Sequence, residues 1–182
     1  MTAPLQLPLG GIQEGVQQKS YEVTSRDLDL PATDVEWGDP ITVELEIIRQ
    51  GEQLQIRGHA AARVRQPCVR CLGPAERRVR AAIAVVARPE TEAEDPADVP
   101  DGMLYHDGES VDLTREVRDA LFVEVPAHPV CRPECAGLCP RCGADLNNGP
   151  CACGGRRSVD PRWAALEQLQ REKPEAGDDS ER

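Results

Sequence analysis

The sequence predicts an α+β domain, a small antiparallel β-sheet wound as a meander with one packed helix, followed by a cysteine-rich C-terminal segment. Three observations carry this. Apolar and polar residues alternate in three consecutive runs between Ile41 and Ala87, the period of half-buried strands. One stripe at three- and four-residue spacing follows, at Leu113, Val117, Ala120 and Leu121, the period of a helix buried on one side. Eight cysteines fall in close pairs, and six of them lie beyond residue 130.

After a loop-like start, Ile41, Val43, Leu45 and Ile47 face one way while Thr42, Glu44 and Glu46 face the other. Gly51 marks a turn. From Leu54 to Val64 the alternation resumes, with Ile56, Gly58, Ala60, Ala62 and Val64 opposite Arg57, His59, Arg63 and Arg65, so the two runs read as a hairpin. A second reversal at 67–74 leads to Val79, Ala81, Ile83, Val85 and Ala87, with Arg78, Arg80 and Arg88 on the other face. Pro89, Pro96 and Pro100 exclude a central strand over the next stretch, which reads as a flexible acidic loop at 89–101. Asp112 is placed to cap the helix and Pro126 to end it. Asp160-Pro161 then offers a cap and first-turn proline for a short helix bearing Trp163, Leu166 and Leu169. The expected organisation is a sheet-plus-helix domain at 1–130, a cysteine-rich segment with its short helix at 131–170, and a disordered acidic tail at 171–182.

The 182 residues suit one main domain with tails. Tyr21, Trp37, Tyr105, Phe122 and Trp163 are the only aromatics, so the core must be aliphatic and thin. The formal charge is -11, but it is unevenly spread. Residues 89–101 carry six acids and no base, and residues 172–182 contribute -3, which leaves -2 for the rest. The first residues show no basic start before a long apolar run, and no stretch approaches 18 apolar residues. A cytoplasmic protein without membrane insertion is expected, and in a reducing compartment clustered cysteines bind metal more readily than they form disulfides.

Cys139, Cys142, Cys151 and Cys153 have the spacing C-x2-C-x8-C-x-C, with the first pair inside Cys-Pro-Arg-Cys-Gly. Two thiolates two residues apart reach one ion because the chain folds back in a tight knuckle, and Gly143 supplies a permissive backbone there. The other four, Cys68 and Cys71 at the hairpin tip and Cys131 and Cys135 after the helix, could make a second site. One or two structural zinc ions are therefore expected, and a site joining residues near 70 to residues near 133 would pin the strand tip to the helix end. Cys135, Cys139 and Cys142 also spell the C-x3-C-x2-C motif of radical enzymes that use S-adenosylmethionine, but only 40 residues follow, too few for their barrel. An iron-sulfur cluster or a thiol redox relay are the remaining readings of these residues. His128 is a possible substitute ligand, and more simply a surface residue.

These residues together resemble the YceD family, the large ribosomal RNA subunit accumulation proteins, over nearly the full length. The resemblance is carried by Cys68-Val69-Arg70-Cys71-Leu72 after a strand, by Asp112-Leu113 opening a helix that runs into Val125-Pro126, and by the stretch from Cys131 through Cys139-Pro140-Arg141-Cys142-Gly143 to Asn147. Asp160-Pro161-Arg162-Trp163 completes it. Many members carry histidine where this chain has Cys153, which keeps ligand chemistry. The resemblance implies a factor for the synthesis, processing or stability of 23S ribosomal RNA, with ribosomal RNA or a pre-ribosomal particle as partner and a ribosomal protein as a further candidate.

Between Arg57 and Arg88 eight arginines face one acid, Glu76. Arg63, Arg65, Arg70, Arg78, Arg80 and Arg88 are the candidate RNA contacts, since a guanidinium meets phosphate with two hydrogen bonds. The plainer reading is a solvated strand face, with Glu44 and Glu46 neutralising Arg57. No aromatic lies in this segment, so backbone contact is expected rather than base stacking. The acidic loop and tail could shield this face or touch basic ribosomal proteins, or simply solubilise the chain. No phosphate-binding glycine loop, nucleophile elbow or small-molecule site is visible, so a non-catalytic factor is expected. A metal-dependent nuclease or maturase and a zinc-bearing protein-interaction module without RNA contact are the alternatives.

Overall fold

A computed structural model of the chain describes residues 5–31, 34–90 and 100–153. The expected tail and short helix beyond 153, and most of the acidic loop, lie outside the described residues. The chain divides into two units, Met1–Cys135 and Ala136–Arg182.

In the first unit the three alternating runs are the long strands β3 (Glu36–Gln50), β4 (Gln53–Pro67) and β5 (Pro74–Pro89). They pair antiparallel in sequence order, as the meander requires. Their inward positions, among them Ile41, Val43, Ile47, Ile56, Ala60 and Ala87, are fully buried. Each large aliphatic side chain removed from water in this way contributes about 1.5–3 kcal/mol. The sheet closes over β1 (Gln6–Pro8), which pairs with β7 (Ser110–Asp112), and over α1 (Thr114–Val123), whose Val117 and Leu121 face β4 and β5. Asp112 caps this helix from just outside it, its Oδ1 accepting the Thr114 N–H at 2.8 Å.

Two strands flank the meander and change its class. β2 (Gly15–Val23) lies antiparallel to β3 in what sequence alone reads as loop. At the opposite edge β6 (Met103–His106) runs parallel to β5. The five-stranded sheet, in the order β2-β3-β4-β5-β6, is therefore mixed, and the expectation of a purely antiparallel sheet is corrected. The physical reason is that the chain returns to the β5 edge after residues 90–102, long enough to enter from the same end.

Two backbone details shape the pairing of β3 and β4. The β3–β4 register shifts between Gly38 and Thr42, a bulge that accommodates Pro40. Gly58 lies so close to β3 that an added Cβ would meet the Glu44 carbonyl oxygen at 2.0 Å; no other residue fits.

The described part of the second unit, residues 136–153, is ordered by turns. A lone bridge joins Leu138 to Asp145, and a 3-10 turn spans Leu146–Asn148. Asp145 Oδ1 accepts the Asn147 N–H at 2.9 Å, and Asn147 Oδ1 accepts the Ala136 N–H at 2.9 Å.

Candidate metal centres and the arginine face

All eight cysteines fall into two groups of four. Cys68 and Cys71, between β4 and β5, meet Cys131 and Cys135, and the second group is Cys139, Cys142, Cys151 and Cys153; within each group the four sulfurs lie within 4.8 Å of one another. In the first group the Cys68 and Cys135 sulfurs are 3.9 Å apart and those of Cys71 and Cys131 3.8 Å. A tetrahedral ion with metal–sulfur bonds of about 2.3 Å has sulfur–sulfur edges of about 3.8 Å, so this set fits a metal. In the second group Cys151 and Cys153 are 3.2 Å apart, Cys142 and Cys153 3.3 Å, and Cys139 is 3.4 Å from both Cys151 and Cys153, separations that must open by a few tenths of an ångström around an ion. Cys68, Cys135 and Cys139 are buried and Cys142 is exposed. The two groups could hold metal ions; an ion in the first would cross-link residues 68–71 to residues 131–135, and one in the second would close the local loop 139–153.

The chain holds the first group together with its own side chains. Arg70, between the two knuckle cysteines, donates from one guanidinium nitrogen to the Pro133 and Cys135 carbonyls, both at 3.1 Å. Val69 N–H donates to Pro129, and the Arg77 guanidinium to Val130. The segment 129–135 is thus stitched to the hairpin tip by hydrogen bonds independent of any ion.

The two Cys-x-x-Cys knuckles have the same backbone. Cys68 N–H donates to Gly73 (2.7 Å) and Leu72 N–H to Cys68 (2.9 Å); in the other knuckle Cys139 N–H donates to Ala144 (2.8 Å) and Gly143 N–H to Cys139 (2.9 Å). The residue after the second cysteine is left-handed in both, with φ +73° at Gly143 and +61° at Leu72. For leucine this conformation costs about 1–2 kcal/mol.

The first sulfur of each knuckle is shifted toward the thiolate. Burial pushes the Cys68 thiol up, but the N–H groups of Cys131, Cys71 and Arg70 outweigh it and bring it down to about 6. The Arg141 and Cys142 N–H groups, with the thiols of Cys151 and Cys153, lower Cys139 to about 6. The partners move the other way. The Gly73 N–H favours the Cys71 thiolate, yet burial and bonds to its three neighbours push it up to about 12. Cys131 is raised chiefly by burial, and Cys153 by hydrogen bonds to Cys151, Cys142 and Cys139. Neighbouring thiols resist carrying charge together. A metal must displace those protons, so its affinity rises with pH.

The candidate RNA-binding arginines occupy three settings. Arg63 stands directly opposite Arg78, with Arg65 and Arg80 one step to either side on the same outer face. Arg65 meets Glu36 at 3.6 Å, and Arg80 touches His59 Nε2, which also lies 3.1 Å from Glu44. Arg70 is turned toward the metal-site carbonyls. Arg88 is on the outer face beside Tyr105, eight residues and therefore about 26 Å along the strand from Arg80. Arg77 has the parity of buried Val79 and Ala81 and points inward, which its position in the alternation already signals. A cleft of about 540 Å³ beside the cluster is lined by Gly38, Arg63, Arg65, Glu76 and Arg78. Trp37, partly buried against the core, also lines this cleft. Sequence reasoning did not find the tethering role of Arg70 or the strained position of Leu72.

Residues 56–170 match the family described as "Large ribosomal RNA subunit accumulation protein YceD". The chain belongs to the YceD family. An uncharacterized protein of Mycobacterium tuberculosis is 34% identical over 136 residues, covering 74% of this chain and 64% of the relative. This YceD-family chain thus spans less than two thirds of the length of the mycobacterial relatives it matches. The Arabidopsis thaliana protein named "Large ribosomal RNA subunit accumulation protein YCED homolog 1, chloroplastic" is 22% identical over 195 residues, covering 90% of this chain and 59% of the relative. The maize protein of the same name is 24% identical over 155 residues, covering 70% and 53%. No solved structure matches the chain. Among the described residues no helix is long and apolar enough to cross a membrane. The family is named for accumulation of an RNA rather than for a reaction.

Proposed function

We propose that this protein is a non-catalytic, cytoplasmic factor for the accumulation of large-subunit ribosomal RNA, a sheet stapled by structural zinc that contacts RNA backbone through Arg63, Arg65, Arg78 and Arg80. The observation that carries this is the direct opposition of Arg63 and Arg78. Like charges facing each other across a strand pair are destabilising, and neither has an ion pair among the described residues. Such an arrangement gains from phosphate what it lacks within the fold. Successive guanidinium groups two residues apart on one strand are separated by about 6.6 Å, close to the spacing of neighbouring phosphates. Arg70, which the sequence groups with these contacts, is assigned to the zinc site, and Arg88 is a separate, weaker contact.

Zinc is the proposed ion because four-thiolate sets built from Cys-x-x-Cys knuckles suit it. Four protein ligands also leave no open coordination position, which supports a structural role over a nuclease. The test is binding of ribosomal RNA fragments across a salt series. With Arg63, Arg65, Arg78 and Arg80 all changed to Ala, affinity should collapse, and the slope of log affinity against log salt should flatten by about 3. Equal affinity and slope in the mutant would sink the RNA reading and favour a protein-only module; RNA cleavage by the zinc-loaded protein would favour the nuclease.

A further inference from the structure

The two knuckles form an internal control. They share the same hydrogen bonds and the same left-handed turn residue, yet one has glycine and the other Leu72. Leucine is disfavoured there, and it is not recruited into the core, since Leu72 is 69% exposed, as is Val69, three positions before it, at 52%. Val69 serves the fold through its N–H alone, and the two exposed side chains, one of them on a strained backbone, are not part of either hydrophobic core cluster.

The surroundings indicate what would cover it. From Arg63 to Arg80 the hairpin carries six arginines and one acid, so even beside a four-thiolate zinc site of net charge about -2 the apolar tip ends a basic hairpin. A protein surface complementary to it would need an acidic rim around an apolar pocket. RNA offers the same complement wherever a base face is unstacked, an apolar plane bordered by phosphates. The arginine cluster lies on the two strands that lead into this tip, so one RNA could engage both.

We propose that Val69 and Leu72 form a base-contact point, packing on an unpaired or helix-end base while Arg63, Arg65, Arg78 and Arg80 hold the adjoining backbone. This rests on the RNA reading above and narrows it. The ligand class is RNA in which a duplex is interrupted by a bulge or loop. Neither side chain has a hydrogen-bonding group, so the contact reads the exposure of a base and not its identity.

The experiment uses the full zinc-loaded chain and two RNAs, a duplex with a single-base bulge and the same duplex without it. Charge and ends are then matched. The unaltered protein should prefer the bulged RNA by about tenfold, the size expected for covering one leucine. Leu72→Gly should abolish that preference and leave the salt dependence unchanged. Glycine suits the left-handed turn, so this variant should keep its metal content and melting temperature, and Leu72→Asn, also tolerant of that conformation, gives an independent check. A bulge preference that survives both substitutions overturns the inference, as does equal binding of the two RNAs by the unaltered protein. Absence of binding to either RNA would instead defeat the RNA reading itself. If the variants retain the bulge preference but lose a co-purifying protein, the tip is a protein contact and the inference fails.

Discussion

Arg70 and Arg63 lie seven positions apart and do opposite work. Arg70 spends its guanidinium on the Pro133 and Cys135 carbonyls, whereas Arg63 faces another arginine; the residue type is the same and the neighbours decide. A similar dependence on neighbours holds at the turn between β6 and β7. His106 Nε2 lies 3.0 Å from the Glu52 carbonyl, its Nδ1 accepts the Gly108 N–H, and Asp107 Oδ1 accepts the N–H groups of Glu109 and Ser110. The bonds from Glu109 and Ser110 hold the Asp107 carboxyl below its usual range. A folded-state pKa below the unfolded one means that the carboxylate contributes stability above the unfolded value of about 4 and loses it as the pH falls through the folded one. Asp107→Asn should therefore melt below the unaltered protein at neutral pH, and the gap should close as the pH falls below the unfolded value of about 4. Melting curves across that range decide it; a gap indifferent to pH would show that charge at Asp107 is irrelevant.

The long strands of the meander can be read from sequence because each has one face in the core and one in water, so a period of two survives at Ile41, Val43, Leu45 and Ile47. β2 could not, because as an edge strand it buries little besides Val23, and Gln17, Gln18, Lys19 and Ser20 carry no alternation. β6 is four residues long and takes its partner from across 90–102, a pairing that no local pattern encodes. The close pairing of cysteines could be read as well, because ligand spacing is local within each pair, while which pairs meet, and the reach of Arg70 to residues 133 and 135, exist only once the chain is folded. Gly58 belongs to the same class of hidden constraint. It looks like a small residue in an alternating run, yet the β3 backbone occupies the space of its side chain. Gly58→Ala should push β3 and β4 apart and cost about 3 kcal/mol of stability, measured by chemical denaturation. A change below about 0.5 kcal/mol, the range of ordinary surface substitutions, would mean that the strands separate freely at this point.

Across the molecule the two units differ in what orders them. The first has a continuous aliphatic core running through β1, the central strands, β7 and α1. In the second, Gly137 and Cys139 are the only buried positions among residues 136–153. A structural zinc contributes about 10–16 kcal/mol of apparent binding free energy, comparable to the about 5–15 kcal/mol that stabilises a whole domain. Metal should therefore decide whether the second unit is ordered at all, and only adjust the first. Mass spectrometry under native conditions should find two ions per chain, and Cys139→Ser with Cys142→Ser should find one. Chelation should then abolish hydrogen-exchange protection at the amides of Cys139, Gly143 and Leu146, whose hydrogen bonds define the second knuckle, while amides of β3, β4 and β5 stay protected. The hairpin tip should respond in between, because the tethers from Arg70, Arg77 and Val69 remain when the ion at Cys68, Cys71, Cys131 and Cys135 is gone. Full protection at Cys139, Gly143 and Leu146 in metal-free protein would show that hydrogen bonds alone order the second unit, and the cysteines would then need another explanation.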